Sequence, residues 1–273
     1  MNWQAEFRRQ SFEPLSRTLS GSSIRLAVIA AHPDDESIGA SALLARSPNA
    51  YVIFVTDGAP RDQRFWPKTI ESSRTQYAAI RRQEAARALA HLGIPARQIV
   101  WLGGVDQEAI FSVPELRARL VDLLDKLQPE LLVTHPYEGG HPDHDCAALL
   151  SSLALRPFGI DTPRFEMTSY HARDGRLVTG EFLGSNPGEE WLCELSEDDK
   201  TRKRKMFAEY RSQHQVLESF EINRERFRLA PAYDFQKPPH EGKLWYECLG
   251  WDMTGERWRT LAAARAEREL SCR

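Results

Sequence analysis

The sequence has few cysteines, no long apolar run and almost no net charge. Its 273 residues include four cysteines, which lie far apart and form neither a metal-binding nor a redox spacing. We therefore expect free thiols in a reducing, cytoplasmic setting, with a buried disulfide as the alternative. No segment approaches the roughly 20 apolar residues of a membrane span. Arg8 and Arg9 are not followed by an apolar run, which argues against a secretory signal.

The charge balance excludes a further class of protein. The chain has 36 basic and 39 acidic residues, so its formal net charge is −3, and this gives no electrostatic footprint for nucleic acid. Seven Trp, seven Tyr and twelve Phe supply core material, which excludes disorder as the main state. We expect one large domain in three parts: a 1–22 N-terminal extension, a 23–188 catalytic core, and a 189–273 C-terminal helix and aromatic tail packed on that core.

Apolar runs alternate with helical patterns in the first half of the chain. Strands are predicted at 24–31, 51–56, 99–102 and 130–134, and helices at 37–46, 74–92, 114–127 and 142–155. This alternation predicts an α/β fold, namely a Rossmann-like, doubly wound three-layer α/β/α arrangement with a mostly parallel sheet. Beyond residue 156 we expect a strand at 165–171, a helix at 196–213 with Ser196 as its N-cap, and an irregular aromatic C-terminal extension from Phe227.

Two of the predicted strands run into loops that contain His-Pro-Asp. The first strand is followed by Ala31–Glu36 and the fourth by His135–His144. In a doubly wound sheet of flavodoxin-like order, the first strand lies beside a later one across the switch point. Ligands bind there, outside the carboxyl ends of the strands. The two loops are therefore expected to meet in one crevice.

The loops combine imidazoles with carboxylates and contain no thiolate. Two His and one carboxylate around an open position are typical of a catalytic zinc site, and a spare carboxylate beside the metal can act as a general base. Taken singly, each acidic residue is explained by helix capping and by the helix dipole. The shared position of both loops favours a metal site.

The loop residues resemble the signature of the LmbE-like, or PIG-L, de-N-acetylase family. The resemblance covers about residues 24 to 213 and extends to Thr56-Asp57-Gly58, to Arg81 with Glu84, and to Lys205 through Gln213. It implies a zinc-dependent hydrolase on a Rossmann-like fold that removes acetyl from N-acetylglucosamine-type sugars. It also implies roles for six residues: His32, Asp35 and His144 as ligands of one Zn²⁺ per chain, Asp34 as general base, His141 as oxyanion stabiliser or acid for the leaving amine, and Asp143 as the group that orients His141 and favours its cationic form.

Three further residues are candidates for substrate binding: Arg81, Tyr137 and Asp57. Arg81 and Glu84 could equally form a surface ion pair, since they lie three residues apart on a helix. His135 is an alternative metal ligand, and Glu36 is expected to start a helix.

Two other functions stay open on the sequence alone. One is metal-dependent hydrolysis of another bond, such as a phosphoester, which predicts two metals. The other is a non-catalytic sugar-binding module, although no Gly-x-Gly-x-x-Gly follows the first strand. The expected partner is a small-molecule or glycoconjugate substrate, and the sequence leaves open whether the chain forms a homo-oligomer.

Overall fold

The computed structural model describes residues 13, 15–18, 20, 21, 24–155, 162–184 and 190–270. Most of the predicted extension 1–22 lies outside these residues, and the proposed boundaries at 22/23 and 188/189 fall in the gaps between them. None of the helices in the described residues is both long and apolar enough to cross a membrane.

A seven-stranded sheet forms the centre of the fold, in the order β3-β2-β1-β4-β5-β9-β8. The first five strands in this order are parallel, and β9 is antiparallel to both of its neighbours. A separate antiparallel hairpin consists of β6 and β7. The strands are β1 Leu26–Ala30, β2 Tyr51–Thr56, β3 Ile99–Gly104, β4 Leu131–Thr134, β5 Arg164–Met167, β6 Tyr170–Arg173, β7 Arg176–Thr179, β8 Glu190–Glu194 and β9 Arg224–Leu229.

Helices cover both faces of the sheet, so the predicted three-layer α/β/α class is confirmed. Apolar side chains of α4, α5 and α9 pack on one face, and those of α2, α3 and α6 pack on the other. The α-helices are α1 Asp35–Gly39, α2 Ser41–Ala45, α3 Arg74–Ala90, α4 Val113–Leu127, α5 Pro142–Leu155, α6 Glu197–Glu209, α7 His214–Leu217, α8 Trp245–Cys248 and α9 Gly255–Leu270. All five residues of β1 are buried, as expected for a strand covered on both faces.

The strand order differs from the flavodoxin-like order that the sequence suggested. The chain adds β2 and then β3 outward from β1 before it crosses to the other side of β1, which is the Rossmann order. The expected neighbours are nevertheless correct, because β1 pairs with β4 in parallel, with Leu26 opposite Leu131 and Val28 opposite Val133. The loops after these two strands therefore leave the same edge of the sheet.

Two local predictions need correction. The helix expected at 37–46 is divided into α1 and α2 at Ala40, whose φ of −139° is not helical. The tail expected to be irregular from Phe227 contains part of β9 and the whole of α9, and only the segment around α8 is irregular. By contrast, Ser196 caps α6 as predicted, since its side chain accepts a hydrogen bond from the Asp199 amide.

Candidate active site at the β1–β4 edge

The two His-Pro-Asp loops meet at the carboxyl ends of β1 and β4. The Ala31 amide in the first loop donates a hydrogen bond of 3.1 Å to Nε2 of His135 in the second. This bond occupies the lone pair of His135 Nε2, and the His135 ring stacks on His144 with 4.1 Å between centroids. His135 therefore links the loops, and its Nε2 is not free to bind a metal.

His32, Asp35 and His144 converge as a set of metal-binding side chains. The Asp35 carboxylate lies 3.4 Å from Nδ1 of His32 and 3.3 Å from Nε2 of His144, and all three residues are buried. Tetrahedral zinc with bonds of about 2.0–2.2 Å to N and O ligands separates those ligands by about 3.3–3.6 Å. Nε2 of His144 is buried and accepts no hydrogen bond among the described residues, so it fits a metal-binding lone pair.

The charges of this set also suit a metal. Burial lowers the pKa of His144 to about 3, which keeps its imidazole neutral. Burial opposes ionisation of Asp35, but the neighbouring His144 and His135 outweigh it and hold the Asp35 pKa well below its usual range. Metal ligands of these types bind as neutral imidazole and ionised carboxylate, and His144 and Asp35 favour these forms. His32 differs, because the effect of burial is outweighed by the neighbouring Asp106 carboxylate, which raises the His32 pKa well above its usual value.

Asp143 contacts a different histidine from the one that the family resemblance implies. Its carboxylate Oδ2 lies 3.1 Å from Nε2 of His32 but 3.9 Å from Nδ1 of His141. The same carboxylate accepts hydrogen bonds from the amides of Gln107 and Ala109. The Asp143 carboxylate therefore holds Nε2 of His32, which leaves Nδ1 of that ring facing Asp35.

His141 is oriented through the backbone of Asp143. Its Nδ1 accepts a hydrogen bond of 3.1 Å from the Asp143 amide, so its proton sits on Nε2, which lies 3.7 Å from Oδ1 of Asp106. Burial and the nearby His32 and His144 lower the pKa of His141 well below its usual value. This direction is opposite to the expected cationic form of His141.

Asp34 has a strained backbone at the start of α1. Its φ of 127° and ψ of −30° lie where residues other than glycine cost on the order of 1–3 kcal/mol. Its amide donates to Glu36 Oε2 at 3.0 Å, and its carboxylate accepts from Arg81 Nη2 at 3.2 Å. Burial raises the pKa of Asp34 well above its usual range, although Arg81 opposes the rise.

The structure brings one of the three predicted substrate-binding residues into the cavity. Arg81 lines it beside Asp34 and also donates to the Pro33 carbonyl. Glu84 instead accepts from the amide and hydroxyl of Ser212, so the alternative surface pair with Arg81 does not form.

Asp57 and Tyr137 do not line the cavity. The Asp57 carboxylate accepts from Arg74 and from the Ala59 amide. The Tyr137 hydroxyl donates to the Lys237 carbonyl at 2.9 Å, and the Tyr137 ring stacks on Trp258. Both side chains are held by other parts of the chain.

Sequence reasoning missed Asp106, which follows β3 at the same edge of the sheet. Its Oδ1 lies 3.3 Å from Nε2 of His32, and the atom is buried without a well-formed hydrogen bond among the described residues. With His32, His141 and Asp143 it forms a second group whose ligand atoms lie within 4.8 Å of one another. The sequence feature that could have identified Asp106 is its position just after an apolar strand that ends in Gly103-Gly104.

The segment from Lys205 to Gln213 supports the loops from behind. The Tyr210 hydroxyl donates to Glu36 Oε1 at 2.5 Å, and the Gln213 amide donates to the Tyr77 hydroxyl at 2.8 Å. Glu36 in turn accepts the Asp34 amide, so Tyr210 fixes the strained turn through one intermediate residue.

A cavity of about 330 Å³ opens above these residues. Its floor carries the candidate ligands, Asp34, Arg81, Asp106 and His141, and its outer walls come from β7, from α7 and the residues after it, and from the tail around α8. A volume of this size suits a small-molecule substrate.

Comparisons with known proteins agree with the site. Residues 27–155 match the family model described as PIG-L: GlcNAc-PI de-N-acetylase. The 1D-myo-inositol 2-acetamido-2-deoxy-alpha-D-glucopyranoside deacetylase of Streptomyces griseus is 30% identical over 182 residues, which are 56% of this chain and 57% of that protein. The Bacillus subtilis protein named "Probable N-acetyl-alpha-D-glucosaminyl L-malate deacetylase 2" is 30% identical over 142 residues, 50% of this chain and 63% of that one.

The match thus spans less than two thirds of the length of either relative. Among solved structures, the antimicrobial reagent A40926 pseudoaglycone deacetylase superposes with a TM-score of 0.58 and 20% identity, over 78% of this chain and 99% of that one. This likeness supports the fold. The family resemblance seen in the two His-Pro-Asp loops is confirmed by this match of residues 27–155 to the PIG-L family model.

Proposed function

We propose that this protein is a zinc-dependent amide hydrolase that removes acetyl from an N-acetylated amino sugar of the N-acetylglucosamine type. The observation that carries the proposal is the convergence of His32, Asp35 and His144, whose ligand atoms all lie within 4.8 Å of one another, inside one cavity that Asp34 also lines. The deacetylase names of the two relatives support the reaction and the sugar class. Three described cysteines are free thiols, which supports the cytoplasm as the proposed compartment.

These three residues would hold the zinc ion. When bound, it supplies a water of lowered pKa and a positive charge that polarises the carbonyl of the amide. The carboxylate of Asp143 holds Nε2 of His32, which fixes the orientation of that ring as a metal ligand would need.

Asp34 is the proposed general base. Its carboxylate takes a proton from the attacking water, and Arg81 holds that carboxylate in place at 3.2 Å. The raised pKa of Asp34 strengthens it as a base and lets the resulting acid deliver the proton to the leaving amine. Asp34 thereby serves both proton transfers.

His141 is the proposed donor to the oxyanion. It carries its proton on Nε2, because Nδ1 accepts the Asp143 amide, and a fixed donor aimed at developing negative charge lowers the barrier. Arg81 and Asp106 also line the cavity, and we assign the hydroxyl groups of the sugar to them.

Two substitutions test the assignment. Asp34→Asn should keep zinc and lose nearly all acetate release from N-acetylated sugars, whereas His32→Ala should lose the metal. Full activity of Asp34→Asn would refute the base assignment. Removal of metal by a chelator should abolish acetate release, and added zinc should restore it.

The second group of candidate metal ligands, around Asp106, leaves phosphoester hydrolysis as an alternative function to be tested. Hydrolysis of a phosphoester by two metals would use Asp106 and His141 as further ligands beside the shared His32. Elemental analysis of the loaded protein separates the two functions: one zinc per chain supports the deacetylase, and two metals with phosphate release would replace it. Sugar binding without acetate release at full zinc loading would instead support a non-catalytic module.

A further inference from the structure

The outer wall of the cavity is apolar although its floor is densely polar. Leu177, Val216 and Leu249 line the cavity and are 39%, 48% and 45% exposed. They make up half of the six large apolar side chains that are exposed in the described residues. Together with the adjacent, partly buried Phe220, we call these four residues the apolar rim.

The rim is assembled from three separate segments. Leu177 lies on β7, Val216 and Phe220 lie on and just after α7, and Leu249 follows α8. The Thr179 hydroxyl of β7 donates to the Ser219 carbonyl at 3.0 Å, which ties the hairpin to the segment after α7. The rim is therefore a built wall and not a chance cluster along one helix.

Charge separates the rim from the floor. The charged or imidazole side chains that line the cavity are His32, Asp34, Asp35, Arg81, Asp106, His141 and His144, and all of them are buried. The remaining lining side chains are aliphatic, aromatic or uncharged polar. The floor of the cavity thus suits a polar reacting group, while the rim suits an apolar group of a ligand, whose surface it would remove from water.

We propose that the rim is an aglycone subsite, so that the preferred substrate is an N-acetylated amino sugar with an alkyl or aryl group on the far side of the sugar from the amide. This inference rests on the proposed function. An acetyl methyl lies one bond from the reacting carbonyl and stays at the floor, whereas an aglycone extends outward from the sugar. The continuity of the rim with the reaction cavity identifies the substrate itself as its occupant.

The test compares two series of glycosides on the zinc-loaded full chain. The first lengthens the aglycone of an N-acetylglucosaminide from methyl to butyl to hexyl, and the second lengthens the N-acyl group of the methyl glycoside. Burial of each methylene is worth up to about fourfold in kcat/KM. We expect a rise of twofold to fourfold per methylene in the aglycone series and none in the acyl series. A flat aglycone series, or a rise confined to the acyl series, overturns the proposal.

Matched variants locate the effect. Leu249→Asn and Val216→Thr should flatten the dependence on aglycone length at least threefold between the methyl and hexyl compounds. Leu192→Asn is the control, because Leu192 is similarly exposed at 42% but lies on β8, outside the cavity. An equal effect of the control and rim variants overturns the proposal. The proposal is also overturned if the protein is a dimer that Leu249→Asn converts to a monomer while the dependence on aglycone length stays unchanged. The rim would then be the contact with a second copy of the chain.

Binding separates this proposal from the deacetylase function. Alkyl glucosides without an acetamido group cannot be deacetylated, and Trp245 and Trp251 line the cavity as fluorescent reporters. Affinity that rises with alkyl chain length, and falls in Leu249→Asn, supports the rim even if no sugar releases acetate. Acetate release together with an affinity that does not depend on alkyl chain length refutes the aglycone subsite and leaves the proposed deacetylase function unaffected.

Discussion

Replacement of Asp143 by asparagine distinguishes two roles for this residue. The family resemblance pairs Asp143 with His141, whereas its carboxylate lies 3.1 Å from Nε2 of His32 and 3.9 Å from the nearest nitrogen of His141. In Asp143→Asn the side-chain oxygen can still accept the Ala109 amide. The charge-assisted bond to His32 is lost, because the new amide group carries no negative charge.

The size of the effect follows from this contact. The Asp143 side chain is fully buried, so water cannot replace the lost partner of the imidazole. Loss of such a partner behind a metal-binding histidine typically weakens metal binding by about 10- to 100-fold, which corresponds to about 1.4–2.7 kcal/mol. We therefore expect the dissociation constant for zinc to rise within that range, and kcat at saturating zinc to fall by a smaller factor.

The assay is competition for zinc with a chromophoric chelator. Asp122→Asn is the matched control, since it removes one carboxylate from the exposed face of α4, where Asp122 pairs only with Lys126 among the described residues. Thermal unfolding of the zinc-free proteins shows whether Asp143→Asn remains folded. A folded variant with unchanged zinc affinity and lost turnover would refute the pairing with His32 and restore the pairing with His141.

Three further changes probe the framework of the site. Gly140→Ala should destabilise the protein or prevent folding, because a Cβ there would lie 1.9 Å from the Tyr170 carbonyl; a soluble variant with the wild-type melting temperature would contradict this. Lys203→Met should cost about 3–5 kcal/mol in urea unfolding, since Lys203 is fully buried and donates to Glu225 at 3.1 Å, and a loss below about 1 kcal/mol would refute it. Burial raises the pKa of Glu166 to about 7, so the folded state binds its proton more tightly than the unfolded state. The contribution of Glu166 to the free energy of unfolding is therefore lost as pH rises from about 4.5 to 7. Relative to the wild type, the free energy of unfolding of Glu166→Gln should increase across that pH range. The same pH dependence in both proteins would exclude the effect.

The sequence predicted the edge of the sheet where the site lies, because local patterns define it. A short apolar run followed by His-Pro-Asp occurs twice, and each motif marks the end of a strand and the start of a helix. The strand order was wrong, because β1 lies beside β3 in the flavodoxin-like order, whereas here it pairs with β4. Placement of the two loops requires only that β1 and β4 are neighbours, and the matching His-Pro-Asp motifs indicated this independently of the strand order.

The roles within the site were less predictable, since they depend on contacts between distant parts of the chain. The family resemblance implied that Asp143 is the partner of His141. The pairing with His32 joins residues 111 positions apart and becomes visible only when both loops are folded. Asp106 was missed for the same reason, because nothing in its own loop indicates that two histidines lie beside it.

The C-terminal strand was missed because its inward-facing positions are not all apolar. In β9 both Glu225 and Phe227 are buried, so the alternation of β9 does not separate apolar from charged residues. Glu225 can be buried because Lys203 neutralises it, and the amides of Ser41 and Ala42 donate to it. An acidic residue at a core position is predictable only together with its partners.

The C-terminal half of the chain supplies hydrogen-bond donors to buried acids of the N-terminal half. Glu36, behind the strained Asp34 turn, is held by Tyr210, and Glu84 on α3 is held by Ser212. Both acids are buried, and a buried acceptor without its donor costs about 1–3 kcal/mol or more. The family match ends at residue 155, but the groups that make its buried acids tolerable lie beyond residue 200. The side chains at the floor of the cavity lie largely within the matched segment, but the donors that satisfy the buried acids behind them come from the part of the chain that also carries most of the apolar rim.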